Sequence, residues 1–318
     1  MGARRGRGDR PAGAPLIRDL RALVPGGVRS LATQFTGYAY LLPALGLIVV
    51  FVYIPVFYSF YLSLLRWNLM SPRSAFVGAA NYERLMVTPE FWNALANSVF
   101  YLVGTVPTSM VVGLALALLV HRTGALRAFW RSVYFLPAAS TFIAMAIVWQ
   151  WIFHPSIGLL NHGLAVLGLS PIPWLDDPRY SLWSLIIIGN WQAVGYNMVL
   201  FLAGLGNIPT EMLDAAATDG AGAFQRVRYV TIPMLSPTTL FVLIVSSIRS
   251  FQMFDLAKVL TEGGPVRSTE VLVYVIWQQA FQFFDIGFAS ALACVLFMML
   301  LAFTVLQMRL FASRVHYQ

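Results

Sequence analysis

The chain has 318 residues, of which 58% are apolar and 11% are charged, and its formal net charge is +8. Soluble domains carry about a quarter charged residues, so this composition and the mean hydropathy of +0.71 exclude an ordinary soluble globular protein. The arginines lie mainly near the ends of apolar runs, which is typical of a membrane protein and does not indicate nucleic-acid binding.

The first 36 residues are rich in glycine, proline and arginine. This composition predicts a disordered basic tail at residues 1–36, on the cytoplasmic side, followed by one membrane domain at residues 37–318. The apolar run at residues 38–65 is too long for the h-region of a cleaved signal peptide.

Six apolar segments are long enough to cross about 30 Å of hydrocarbon. We place them at residues 38–65, 96–120, 132–153, 182–206, 237–259 and 287–310. Residues 67–95 mix aromatic and charged side chains and predict a short interfacial helix. The predicted fold class is an all-α membrane protein with six transmembrane helices and a cytoplasmic helix–turn–helix loop.

The orientation follows from the distribution of basic residues, which accumulate on the cytoplasmic side of membrane proteins. With the N-terminus inside, the inner segments carry fourteen arginines and the outer segments carry six arginines or lysines. This asymmetry predicts that both termini, and the polar stretch between the fourth and fifth spans, are cytoplasmic.

That polar stretch comprises residues 208–237, and we call it the knob. Thr210 is expected to cap a short helix, because the side-chain oxygen of threonine often accepts a hydrogen bond from an unpaired backbone amide in the first turn. Glu211 and Asp214 fall in the first turns of this helix, where negative charge is favourable.

The second half of the knob contains a turn and another helix. Gly220, after an aspartate, predicts a break with a positive φ angle. A further short helix is expected from about Ala223, and Pro233 and Pro237 are expected to close it.

Three elements of the knob carry a family resemblance. They are Asp214-Ala215-Ala216, then Asp219-Gly220-Ala221, then Ile232-Pro233. At this spacing the stretch closely resembles the cytoplasmic loop of permease subunits in bacterial ABC importers, although that family prefers glutamate at the position of Asp214. In the family, this loop docks into a cleft of the ATPase subunit.

The resemblance therefore implies an ATPase-coupling loop in this chain. Its predicted residues are Glu211, Asp214, Ala215, Ala216, Asp219, Gly220, Ala221, Arg226 and Pro233. The chain itself has no P-loop, since the only lysine, Lys258, follows no glycine loop. We predict no catalytic residue, no metal site and no cofactor here, with ATP and Mg²⁺ held by partner ATPase subunits.

The resemblance to the carbohydrate branch of the family covers roughly residues 38–318. It includes Asn81-Tyr82, the run from Ser250 to Asp255, and Gly263-Gly264-Pro265. The final run from Arg314 to Gln318 resembles the end of glycerol-3-phosphate permeases and of some sugar permeases. The resemblance implies a bacterial inner-membrane protein that pairs with a second homologous permease, two ATPase subunits and an extracytoplasmic solute-binding protein.

Polar side chains within the fourth and fifth spans are candidates for the substrate pathway, because such groups usually face a bundle interior or an aqueous cavity. The candidates are Asn190, Trp191, Tyr196, Asn197, Ser246, Arg249, Gln252 and Asp255. Helix–helix hydrogen bonding is the alternative role for the amides and the serine.

The expected substrate is a disaccharide or an oligosaccharide, since amides and aromatic rings suit hydroxyls and the apolar faces of sugar rings. Glycerol-3-phosphate or a glycerophosphodiester is the alternative, in which Arg249 would bind a phosphate. Arg249 is expected near the middle of the fifth span, and for a neutral sugar it is expected to hold carbonyls or glutamine-type partners at the gate.

Two other classes of protein compete with this interpretation. An ion-coupled secondary transporter predicts inverted repeats and paired acids in the membrane, but the sequence shows no repeat and Asp255 is the only acid well inside a predicted span. A membrane-embedded enzyme requires a nucleophile with its base, or a metal-ligand set, and none falls within the spans.

Overall fold

The computed structural model describes residues 40–71, 73–121 and 123–312. The predicted basic tail at residues 1–36 lies outside these ranges. The chain divides between Tyr58 and Ser59 into two units. The described part of the first unit is a helix whose residues 40–55 are all exposed.

Helices make up most of the described chain. They are α1 (Tyr40–Ser63), α2 (Ala80–Val87), α3 (Pro89–His121), α4 (Arg127–Ala139), α5 (Phe142–Ile152), α6 (Leu159–Val166), α7 (Ser181–Gly206), α8 (Thr210–Thr218), α9 (Ala223–Met234), α10 (Ser236–Phe251), α11 (Leu272–Trp277) and α12 (Ile286–Ala312). Shorter helical segments lie at Gly124–Leu126, Ala257–Thr261 and Gln278–Gln282. Two short strands, β1 (Leu65–Arg66) and β2 (Ala75–Phe76), precede α2 in the chain and pair with each other in antiparallel fashion.

The predicted fold class is confirmed, with two of its spans broken. Among the described residues, α1, α3, α7 and α12 are each long and apolar enough to cross a membrane. The pairs α4–α5 and α9–α10 also qualify if each bent pair is counted as one span, which gives up to six. A short helix, α2, is present within residues 67–95, where an interfacial helix was expected.

The third span is not the single helix expected at residues 132–153. It consists of α4 and α5, whose axes meet at 94°. Ser140 and Thr141 between them have extended backbones, with ψ angles of 148° and 132°. Pro137 lies two residues before the end of α4, and its missing amide weakens the helix at this point.

The fifth span is also shorter than expected. Helix α10 ends at Phe251 rather than near residue 259, so Arg249 lies in the last turn and Asp255 lies beyond the helix. The reason is tertiary packing, because Met253, which follows the break, is buried against the core together with neighbouring apolar residues. A continuous helix was predicted from hydropathy, and burial of these side chains bends the chain instead.

Close packing of helices surrounds the middle of α7. A Cβ atom at Gly195 would lie 1.9 Å from the carbonyl oxygen of Tyr134 in α4, and one at Gly189 would lie 2.1 Å from the hydroxyl of Tyr101 in α3. Glycine is therefore the residue that lets both neighbouring helices approach α7 at these two levels.

Candidate functional site

A polar cavity lies between α3, α7 and α10 and is closed on one side by the segment that follows α10. Its volume is about 180 Å³. Six of the eight substrate-pathway residues predicted from the sequence line it. They are Tyr196, Asn197, Ser246, Arg249, Gln252 and Asp255. The three-residue spacing of Ser246, Arg249 and Gln252 places all three toward this cavity.

A hydrogen-bond network joins the three helices at the cavity wall. The amide nitrogen of Asn197 donates to the hydroxyl of Ser109 over 3.1 Å. Its amide oxygen accepts from the hydroxyl of Ser246 over 3.0 Å. One turn away, the hydroxyls of Thr105 and Ser250 are 3.2 Å apart. Asn197, which is 1% exposed, thus links α3, α7 and α10 through both ends of its amide.

Arg249 makes a different contact from the one expected for a neutral substrate. Its guanidinium carbon lies 4.3 Å from the centre of the Tyr196 ring, a cation–π interaction. None of the hydrogen bonds or ion pairs found within the described ranges involves its side chain. Its place in the last turn of α10 puts positive charge near the negative end of the helix dipole.

Two predicted pathway residues, Asn190 and Trp191, are not among the residues that line the cavity. The amide nitrogen of Asn190 donates to the carbonyls of Gly104 and Ile186, at 3.1 and 3.0 Å. The Trp191 ring packs edge-to-face on the Trp149 ring with centroids 5.4 Å apart. Both side chains therefore connect α7 to neighbouring helices.

The sequence interpretation missed the contribution of α3 to the cavity. Tyr101, Thr105 and Ser109 line it and follow one another at intervals of four residues, which places them on one helical face. This polar stripe within an apolar helix was visible in the sequence. The sequence does not show which helices pack beside this stripe, so only the structure identifies it as a cavity wall.

The knob has the predicted helix–turn–helix form, made by α8 and α9. At the end of α8 the amide of Ala221 donates to the carbonyl of Ala216, and the amide of Gly220 donates to the carbonyl of Ala217. This pair of bonds is a Schellman motif, which requires a left-handed residue at the glycine position. Gly220 has φ of +82°, which confirms the expected turn.

The start of the knob differs from the sequence-based expectation. Thr210 is the first residue of α8, and Pro209, with ψ of 131°, occupies the capping position, so no side chain caps this helix. Helix α9 ends at Met234, between Pro233 and Pro237 as expected, and meets α10 at a 65° bend. The wide π-helical turn at Val227–Thr231 precedes Pro233 and accommodates the missing amide.

The predicted coupling residues lie on an open surface. Neither α8 nor the first turn of α9 has a buried residue. Glu211, Asp214 and Asp219 are exposed, and none of the ion pairs found in the described chain involves them. Phe224, in the first turn of α9, is 80% exposed and is an apolar side chain of the knob open to a partner.

The described chain is a bundle of long apolar helices with a polar cavity and an exposed loop, an arrangement that is typical of membrane transport proteins. Residues 109–317 match the family described as the inner membrane component of binding-protein-dependent transport systems. The chain belongs to this family, whose members include the permease proteins of ABC importers.

Relatives with named substrates resemble most of the chain. A trehalose/maltose transport system permease protein of Thermococcus litoralis is 33% identical, covering 86% of this chain and 92% of that protein. An sn-glycerol-3-phosphate transport system permease protein of Agrobacterium fabrum is 31% identical, covering 88% and 96%.

The fold is shared with a solved transporter. A chain of a bacterial ABC transporter involved in the import of alginate, an acidic polysaccharide, superposes with a TM-score of 0.77 and 19% sequence identity. The match covers 90% of this chain and 98% of that chain. At this identity the likeness shows the fold.

Proposed function

We propose that this chain forms half of the translocation pathway of an ATP-driven importer for a sugar, a disaccharide or an oligosaccharide. The connectivity of the knob is the observation that carries the proposal. The knob joins the end of α7 directly to the start of α10, and these two helices enclose the cavity together with α3. A docked ATPase that displaced the knob would therefore move α7 and α10 directly, and these two helices form walls of the cavity.

The partners follow from surfaces that this chain leaves open. The knob offers unpaired acids and an exposed aromatic side chain to an ATPase subunit, which holds ATP and Mg²⁺. Arg249, Gln252 and Asp255 are exposed in the single chain although they line the cavity. A second homologous permease would enclose them, and a solute-binding protein would deliver the substrate from outside.

A sugar is favoured by the mixture of groups in the cavity. Gln252 provides an exposed amide, Tyr101 provides a hydroxyl, and the ring of Tyr196 provides an apolar face. The relatives with named substrates do not separate a sugar from glycerol-3-phosphate, since their identities differ by two percentage points. The specific observation in favour of glycerol-3-phosphate, or of a glycerophosphodiester, is the unpaired guanidinium of Arg249.

The orientation belongs to the same proposal, with both termini and the knob in the cytoplasm. Ala223 in the knob and Asp176 between α6 and α7 are both exposed. A cysteine at Ala223 should react with an impermeant thiol reagent only from the cytoplasmic side, and one at Asp176 only from outside. The single native cysteine, Cys294, is buried, so its background labelling should be low. The reverse pattern would remove the knob from reach of the ATPase.

Coupling is tested by substitutions that alter the knob without touching the bundle. Gly220→Val places a β-branched residue at a positive φ, and Asp214→Lys reverses an exposed charge. We expect both variants to insert normally, while uptake falls at least tenfold and ATP hydrolysis no longer responds to substrate.

The matched control is Gly222→Ala. Gly222 lies two residues from Gly220 but has φ of −65°, and an added Cβ would meet only the Gln225 side chain, at 3.6 Å. This variant should keep full uptake. Full uptake by Gly220→Val as well, at equal expression, would show that the knob geometry does not carry coupling.

A further inference from the structure

Two opposite charges face the cavity without neutralising each other. Among the described residues that line it, Arg249 and Asp255 are the only ones with formally charged side chains. No ion pair joins them, and no hydrogen bond or ion pair found in the described chain involves the Asp255 carboxylate. The guanidinium is stacked on Tyr196. Both charges are therefore available to a ligand.

The bend after α10 creates this arrangement. The chain leaves helical geometry at Gln252, and Asp255 begins the next helical segment. Arg249 and Asp255 are six positions apart in the sequence. In an uninterrupted helix they would lie about 120° apart around the axis, on different faces. The bend returns Asp255 to the cavity that Arg249 and Gln252 already line.

The two charges line one cavity and therefore act on the same ligand. An anionic group bound there meets the carboxylate of Asp255 as well as the guanidinium of Arg249. Attraction to the guanidinium is then offset by repulsion from the carboxylate. A neutral saccharide has no such conflict, because its hydroxyls accept from Arg249 and donate to Asp255.

We propose that Asp255 is a specificity-determining residue that admits neutral saccharides and excludes analogues bearing a phosphate or a carboxylate. This inference rests on the proposed function of the chain as a sugar permease and adds the charge class of the substrate. Arg249 then binds sugar hydroxyls, and its ability to bind an anion is suppressed by the nearby carboxylate.

The test measures direct binding to the purified complete transporter, without the solute-binding protein, so that delivery does not limit the result. The probes are maltose and trehalose, each paired with its 6-phosphate, together with glycerol-3-phosphate. The wild type should bind a neutral disaccharide and discriminate against its phosphate. Asp255→Asn keeps the size of the side chain, and it should shift the ratio of the two affinities toward the phosphate by at least about tenfold.

Three further variants isolate the charge. Asp255→Glu keeps the carboxylate and should keep the discrimination. Asp176→Asn removes an exposed acid that does not line the cavity, and it should change nothing. Arg249→Gln added to Asp255→Asn should abolish the gained phosphate binding, because it removes the cation that would hold the phosphate.

The possible failures are distinguishable. A wild type that binds glycerol-3-phosphate and no neutral disaccharide overturns the sugar proposal, and the role of Asp255 with it. A wild type that binds a neutral disaccharide, together with an Asp255→Asn variant of unchanged affinity ratio, overturns the role of Asp255 alone. A folded Asp255→Asn variant that binds neither member of a pair also overturns it, because the neutral sugar should still bind.

Discussion

The cavity and the knob are both polar regions of a mostly apolar chain, but their polar groups are satisfied in different ways. Asn197 at the cavity wall is buried and uses its amide nitrogen and oxygen in bonds to two other helices. The acids of the knob are exposed and have no ion pairs in the described chain. Buried polar groups must find partners within the protein, whereas exposed ones remain solvated until a partner docks.

This difference predicts where substitutions lower stability and where they lower only transport. Changes at the helix contacts around the cavity should lower the free energy of unfolding. Changes in the knob should leave it nearly unchanged, since surface substitutions usually alter it by no more than about 0.5 kcal/mol.

The largest effect is expected for Gly195→Ala. The added methyl group would lie 1.9 Å from the carbonyl oxygen of Tyr134, so α4 and α7 must separate. Overpacking of this kind costs up to about 3 kcal/mol. Gly206→Ala, at the end of the same helix, is the control because nothing lies within 4 Å of its added Cβ. Thermal unfolding in detergent should show a lower Tm for Gly195→Ala only, and equal values would contradict the packing described here.

The next largest effect is expected for Asn197→Ala. The hydroxyl of Ser246 loses the acceptor that it uses in the bundle, and a buried polar group left without a partner costs about 2 kcal/mol. The corresponding change in the knob is Thr218→Ala, which removes a bond from the threonine hydroxyl to the carbonyl of Asp214 on the exposed helix α8. Chemical denaturation should separate the two variants. A Thr218→Ala variant as unstable as Asn197→Ala would mean that the knob is part of the folded core.

The smallest effect is a pH dependence at Glu270, in the loop before α11. Burial raises the pKa of this carboxyl above its ordinary value, 4.5, more than the neighbouring Arg267 lowers it. The folded chain therefore holds the proton of Glu270 more tightly than the unfolded chain does. This difference stabilises the folded state at low pH, and the stabilisation is lost as the pH rises from 4.5 through the folded pKa.

Glu270→Gln should therefore be more stable than the wild type at neutral pH, and the difference should vanish below about pH 4.5. Glu211→Gln in the knob is the control, since Glu211 is exposed, and it should alter the free energy of unfolding by no more than about 0.5 kcal/mol. A Glu270→Gln variant less stable than the wild type at neutral pH would show that the contact with Arg267 outweighs burial.

Local and compositional features of the sequence determined much of this protein. Apolar length predicted the membrane-spanning segments, because about 20 apolar residues are needed to cross the hydrocarbon. The turn at Gly220 was predictable because only glycine adopts a left-handed backbone without strain. The knob itself stood out as a stretch between apolar runs that carries three acids and two arginines.

The tertiary structure alone decided which polar residues meet. Asn190 and Asn197 share one face of α7, yet the first bonds to the backbone of α3 and the second lines the cavity. Helical periodicity states which side chains share a face, but the neighbouring helix at each level decides what that face contacts. Hydropathy likewise did not predict the breaks between α4 and α5 and after α10. These breaks depend on tertiary packing, such as the burial of Met253 in the core.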